Sequence, residues 1–221
     1  MYKLYYSPGA CSLAPHIALE EIGAPYDSEI VWTDPAKPGM TVKSPEWKRI
    51  NPKGYVPVLA GVPGRSGGAP ETLTEANAIL LFLARKYPDA RLMPPTPEGE
   101  ARCLEWLNYV SGTVHGGSFA QVFRPERFVA DEKDFAAVEA KGRAKLKDQF
   151  AYMDSLLGDG RDWAVAGHNS IADSYLIAVY RWGGRIGMAM KDYAACTRHA
   201  ERMMARPAVA RTFQLEGITL G

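Results

Sequence analysis

The stretch LMPPTPEGE, Leu92 to Glu100, sets three prolines into an otherwise helical run and divides the 221-residue chain into two parts of different character. Proline lacks a backbone N–H and pushes the residue before it out of the α region, so no regular helix runs through this point. Before it, short strand patterns alternate with helices; after it, helical periodicity covers nearly everything. The chain therefore reads as an α/β domain over residues 1–90, a linker over 91–98 and an all-helical domain over 99–221.

Within the first part, Lys3 to Tyr6 predicts a strand. Leu13, Ala14, Ile17, Ala18 and Ile22 then mark a helical stripe that Gly23 stops. Pro15 is tolerated because it falls in the first turn, where backbone N–H groups have no intrahelical partner. A second strand is expected near Tyr26 to Val31. Ser44-Pro45-Glu46 then opens a helix with a cap and a proline at its first position. Val56 to Leu59 and Glu71 to Leu73 predict two short strands joined by the turn-rich GVPGRSGGAPE, and a helix follows from about Glu75 to Tyr87. The order βαβαββα is that of the thioredoxin-like fold. Beyond the prolines, helices are expected over about 99–119, 135–157, 171–186 and 193–204, with a short piece after Pro207, which makes a bundle. Ser170 and Asp173 stand at capping-box spacing.

Charge restricts the function. Lysine and arginine number 26 against 25 aspartates and glutamates, a balance with no bulk attraction for nucleic acid or an anionic membrane. The start MYKLYYS has no charged leader before an apolar run, and no segment has the apolar length of a membrane span, so a cytoplasmic protein is expected. Cys11, Cys103 and Cys196 are odd in number and widely spaced, which argues against a disulfide framework or a metal site. Cys103 and Cys196 fall inside predicted helices and read as small packed residues.

Cys11 is different, because it stands where the first strand runs out through Ser-Pro-Gly into a helix. The positive end of a helix dipole stabilises a thiolate, so this thiol is expected to titrate below the free value of about 8.5. His16 lies five residues on, about 140° around the helix, and reads as a packed or hydrogen-bonded histidine. Farther along, Asn108, Ser111, Gly112 and His115 fall at i, i+3, i+4 and i+7, one polar stripe if the segment is α-helical.

YYSPGACSLAPHIAL, NPKGYVPVL, LTEANAIL, EWLNYVSGTVH and SIADSYL follow one another in the order of a glutathione transferase, and the cysteine after Ser-Pro-Gly-Ala resembles that of the bacterial beta class. This resemblance implies that Val56 and Pro57 form the superfamily's cis-proline turn, with the Val56 backbone pairing the cysteinyl main chain of glutathione. It implies that Lys53, Glu75 and Ala76 bind the same tripeptide, and that Cys11, Asn108 and His115 serve its sulfur. Tyr6, where other classes carry a tyrosine, reads as strand-end packing. Ala76 replaces the family's frequent serine, removing a hydrogen bond to a carboxylate worth about 1.5–3 kcal/mol. Gly112 and Gly116 replace polar and basic residues often found beside the histidine. The expected activity is conjugation of the glutathione thiolate to a small hydrophobic electrophile bordered by the helical domain, with thiol–disulfide exchange through Cys11 as a further possibility. Glutathione is expected as co-substrate, with no metal, and a cytoplasmic homodimer engaged in detoxification is implied. A glutathione-dependent isomerase, dehalogenase or lyase, and a non-catalytic binding protein, are the alternatives that the fold leaves open.

Overall fold

The computed structural model describes residues 1–64 and 66–221, so Arg65 of the turn-rich GVPGRSGGAPE lies outside the described residues. In chain order they form β1 (Tyr2–Tyr6), α1 (Leu13–Ile22), β2 (Tyr26–Ile30), α2 (Pro45–Ile50), β3 (Val58–Val62), β4 (Glu71–Thr74), α3 (Ala76–Lys86), α4 (Pro97–Asn108), a π-helical stretch (Tyr109–Phe119), α5 (Ala120–Phe123), α6 (Phe135–Leu157), α7 (Ile171–Arg185), α8 (Ala194–Met204) and α9 (Pro207–Glu216). They divide into two compact units, Met1–Met93 with Met203–Gly221, and Pro94–Arg202.

In the first unit, β1 runs through the middle of a four-stranded sheet of order β2-β1-β3-β4. β2 pairs parallel to it from Tyr2↔Tyr26 to Tyr6↔Ile30, a pairing that requires a crossover, and α1 supplies it. β3 is antiparallel to β1, with Leu4 opposite Leu59, and β4 is antiparallel to β3, with Leu73 opposite Leu59. A register shift between Ala60 and Val62 centres on Gly61, whose φ is +84°; a Cβ there would lie 2.8 Å from the carbonyl oxygen of Met1. Only glycine meets both demands. The core sits between sheet and helices, where Leu4, Leu13, Ile17, Leu59, Ile79, Leu80 and Leu83 are almost wholly withdrawn from water. Trp47 of α2, whose start is capped by the Ser44 hydroxyl, fills a separate pocket of core with Val31, Val56 and Val58.

Two sequence expectations change here. β3 begins at Val58 rather than Val56: the Val56–Pro57 bond is cis, and proline cannot donate to a ladder. The second change concerns the C-terminus, since Met203–Gly221 belongs to the first compact unit and the all-helical unit ends at Arg202 rather than at residue 221. The cause is the inner face of α9, which buries Val209, Thr212, Phe213 and Glu216, with α1 packed against it. Burying Val209 and Phe213 contributes about 1.5–3 kcal/mol each. Arg206 adds a two-pronged ion pair to Glu21 at 2.6 and 2.8 Å, and Arg211 pairs with Glu20 at 2.8 Å.

The second unit starts where the Thr96 hydroxyl accepts from Gly99 N–H and Pro97 takes the first helical position of α4. α7 runs through its interior, with every residue from Ile171 to Val179 buried. The capping box at its start is formed: Asp173 accepts from Ser170 N–H at 2.7 Å and the Ser170 hydroxyl at 3.0 Å. The same buried carboxylate accepts from Ala164 N–H at 2.7 Å and meets His199 Nε2 at 2.8 Å. A buried carboxylate needs this many partners to offset its lost hydration. No described helix is long and apolar enough to cross a membrane.

Candidate functional site

The loop Ser7–Ser12 leaves β1 and turns into α1. Its shape is held by a reciprocal pair: the Ser12 hydroxyl accepts from Ser7 N–H at 3.0 Å and donates to Ser7 C=O at 3.1 Å. Gly9, at φ +69°, bends the middle of the loop, and its N–H donates to Glu216 Oε2 at 2.7 Å. Cys11 follows, its thiol donating to the carbonyl of Val56 at 3.4 Å. The resemblance sets Val56 against the backbone of glutathione and Cys11 at its sulfur, without a contact between the two; the fold brings them together at the end of the sheet where β3 begins.

The thiol does not carry the depressed pKa expected of a helix start. Burial pushes it up to about 12, outweighing the backbone N–H groups of Cys11 and Ser12 that favour the thiolate, and the nearby Glu75 carboxylate raises it further. Desolvation wins because a helix end supplies only half a charge, whereas removal from water acts on a whole one. Cys11 is a protonated hydrogen-bond donor at neutral pH. The packing reading of the other two thiols agrees with their surroundings: burial raises Cys103 to about 11 and Cys196 to about 12.

Across from this loop, Glu75 begins α3 with φ +72° and ψ +122°, a conformation costly for a residue with a Cβ and one that concentrates at functional positions. Ile79 N–H is the first to bond back, to Glu75 C=O at 3.0 Å, so the N–H groups ahead of it form the electropositive mouth of the helix. Ala76 brings no hydroxyl to that mouth. Lys53 reaches Glu75 Oε1 at 2.6 Å and Thr74 Oγ1 at 2.8 Å, a bridge with both partners about half-exposed or more. Solvent screening makes such a pair worth little to stability, so an incoming charged ligand can rearrange it.

In the second unit, Asn108 and His115 do not share a stripe. Asn108 ends α4 and is exposed, but the chain then winds as a π-helix from Tyr109 to Phe119. A π turn takes more residues than the about 3.6 of an α turn, so positions seven apart no longer eclipse. Glycines at 112, 116 and 117 lie along it, and a Cβ at Gly116 would stand 3.1 Å from the Ser111 carbonyl. His115 turns inward, its Nδ1 2.9 Å from the Tyr175 hydroxyl and its ring 4.7 Å from that of Trp182. Burial, with Arg127 adding repulsion, lowers its pKa to about 4, leaving a neutral imidazole.

Sequence reasoning missed three participants. Ser7 and Ser12 shape the cysteine loop, and their serine-rich context was the available signal. Glu216, some two hundred residues from its partners, had none. Among the described residues no cluster of three or more His, Cys, Asp or Glu side chains is arranged to hold a metal ion.

Comparison with known proteins agrees with this architecture. Residues 9–86 match the family model for the glutathione S-transferase N-terminal domain. The chain is 34% identical to glutathione S-transferase GstA of Escherichia coli O157:H7, over 98% of this chain and 99% of that one. Among solved structures, a glutathione transferase homologue from Sulfitobacter with bound glutathione superposes with a TM-score of 0.86 at 28% identity, covering 99% of both chains. A bacterial beta-class glutathione S-transferase from Sphingomonas chungbukensis gives a TM-score of 0.80 at 32% identity, covering 98% of this chain and all of that one.

Proposed function

Because the chain belongs to the glutathione S-transferase family and is a glutathione transferase by that kinship, we propose that it binds glutathione along the Val56 edge and at the start of α3, and conjugates the glutathione sulfur to small hydrophobic electrophiles. The observation that carries this reading is the Cys11 thiol lying 3.4 Å from the Val56 carbonyl, with Glu75 near enough to perturb it. A tripeptide laid beside Val56 as an added strand puts its cysteinyl N–H on that carbonyl, and a carbonyl oxygen has two lone pairs to share. The mouth of α3 takes a carboxylate, Glu75 takes the α-ammonium group, and Lys53 is the cation available to a second carboxylate.

A thiol held protonated does not serve as the nucleophile; it serves as a donor. When glutathione takes the Val56 carbonyl with its own N–H, the Cys11 S–H turns from that carbonyl to the sulfur of the ligand and favours its thiolate, because a hydrogen bond to the charged form lowers its pKa. The glutathione S–H gives its proton to solvent water, the thiolate attacks the electrophilic carbon, a C–S bond forms and the bond to the leaving group breaks, the leaving group departing with its electron pair. The same reading carries a reducing cytoplasm, with which three free cysteines agree, and the homodimer that the resemblance implies.

Calorimetry of glutathione against the purified protein tests the proposal, with an expected dissociation constant between tens of micromolar and millimolar, about −4 to −6 kcal/mol. Absence of heat at millimolar glutathione overturns it.

A further inference from the structure

The carboxylate of Glu216 is fully buried at the end of α9, where it accepts Gly9 N–H at 2.7 Å on one oxygen and His16 Nδ1–H at 2.8 Å on the other. Its two partners flank Cys11, one two residues before it and the other five residues after. His16 is itself immobilised: its side chain is 1% exposed and its ring lies 4.8 Å from Tyr6 and 5.8 Å from Tyr26. His16 Nε2 is buried without a hydrogen-bond partner, so the tautomer with its proton on Nδ1 leaves no buried N–H unpaired. α9 is tied to α1 by Arg206 to Glu21 and Arg211 to Glu20. A carboxylate on a fixed helix therefore grips both sides of the turn that presents the thiol.

We propose that Glu216 is a positioning residue for the glutathione site, fixing the Ser7–Ser12 loop from the C-terminal end of the chain so that Cys11 faces the Val56 edge. The proposal rests on the glutathione site described above. Without Glu216, Gly9 N–H loses its acceptor in a buried place, and the loop gains freedom by turning that N–H toward water. The Cys11 sulfur then samples positions away from Val56, so glutathione binding pays the ordering that the wild-type fold has already made. This effect belongs to the glutathione side of the reaction and leaves affinity for the electrophile unmoved.

The test measures KM for glutathione and for chlorodinitrobenzene, with thermal melting, in the full-length protein carrying Glu216→Ala, Glu216→Gln or Phe213→Ala. Phe213→Ala loosens α9 without touching the loop and sets the effect of destabilisation alone. The expectation is that Glu216→Ala raises the glutathione KM about tenfold with the chlorodinitrobenzene KM unchanged. Glu216→Gln, whose amide oxygen still accepts from Gly9, stays within about threefold of wild type, and Phe213→Ala lowers the melting temperature with neither KM altered. If Glu216→Ala and Phe213→Ala give the same glutathione KM, Glu216 is a packing residue and the proposal is overturned. Should Glu216→Ala fail to fold, Glu216→Asp, one methylene too short to reach both donors, carries the expectation at about threefold, and an unchanged KM overturns it. Glu75→Ala in the same assay separates the two readings. No effect there removes the site and this proposal with it, whereas a raised KM at Glu75→Ala and none at Glu216→Ala removes the proposal alone.

Discussion

Cys11 shows how two physical effects at one residue are ranked by magnitude. A helix start and two backbone N–H groups favour the thiolate, yet burial moves the thiol up to about 12. Alkylation by iodoacetamide is therefore expected to be slow at Cys11 at neutral pH and to rise only well above the free-thiol midpoint of about 8.5. Peptide mapping across a pH series measures this, and a midpoint at or below that of a free thiol contradicts the assignment of Cys11 as a donor. His115 makes a second residue-scale prediction. Its folded pKa of about 4 lies below the unfolded value, so the unfolded state binds more protons between pH 6.5 and 4. Stability is then full above about pH 6.5 and falls as acid is added, by about 2 kcal/mol between pH 7 and 5 from this residue. His115→Gln is expected to flatten the pH dependence of urea unfolding by that amount. Alanine at Asn108, which is exposed, should lower conjugation with no change in melting if its role is chemical.

At the scale of elements, the start of α3 is one of the places where this sequence departs from the family pattern it resembles. Ala76→Ser restores a hydroxyl beside the bound carboxylate and is expected to tighten glutathione about tenfold by calorimetry, since a hydrogen bond to a charged group is worth about 1.5–3 kcal/mol. An unchanged constant would mean that the carboxylate lies elsewhere. The elements themselves were legible in the sequence where a local rule governs them: the stripe and Gly23 stop of α1, the Ser44-Pro45 start of α2, the Ser170–Asp173 box of α7. The π-helical stretch was not, because spacing in sequence presumes a turn size, and the glycines at 112, 116 and 117 relax the preference for the usual one. The stripe joining Asn108 to His115 failed for that reason alone. That Cys11 and Val56 serve one ligand was an expectation from a family pattern, the contact between them was not foreseen, and the Glu216 contacts depend on how α9 packs and leave no local trace.

For the whole molecule, a ligand that binds only the folded state adds stability by mass action. With a dissociation constant near 0.1 mM, 10 mM glutathione contributes about 2.7 kcal/mol, so the melting temperature is expected to rise by several degrees and to keep rising with concentration. Differential scanning fluorimetry measures it, with the oxidised disulfide as a second ligand for comparison. An unmoved transition across that range would exclude binding of useful strength.

The first compact unit is assembled from both ends of the chain, Met1–Met93 and Met203–Gly221. During synthesis its sheet emerges first, yet the ribosome must translate all of Pro94–Arg202 before α9 leaves the exit tunnel, a delay on the order of ten seconds. Throughout that interval the face of α1 that packs against α9 is bare, and the turn bearing Cys11 lacks its carboxylate grip. The turn that carries the thiol is therefore shaped late: its two serines can pair as soon as the N-terminal segment emerges, whereas the carboxylate that takes Gly9 N–H arrives only with α9.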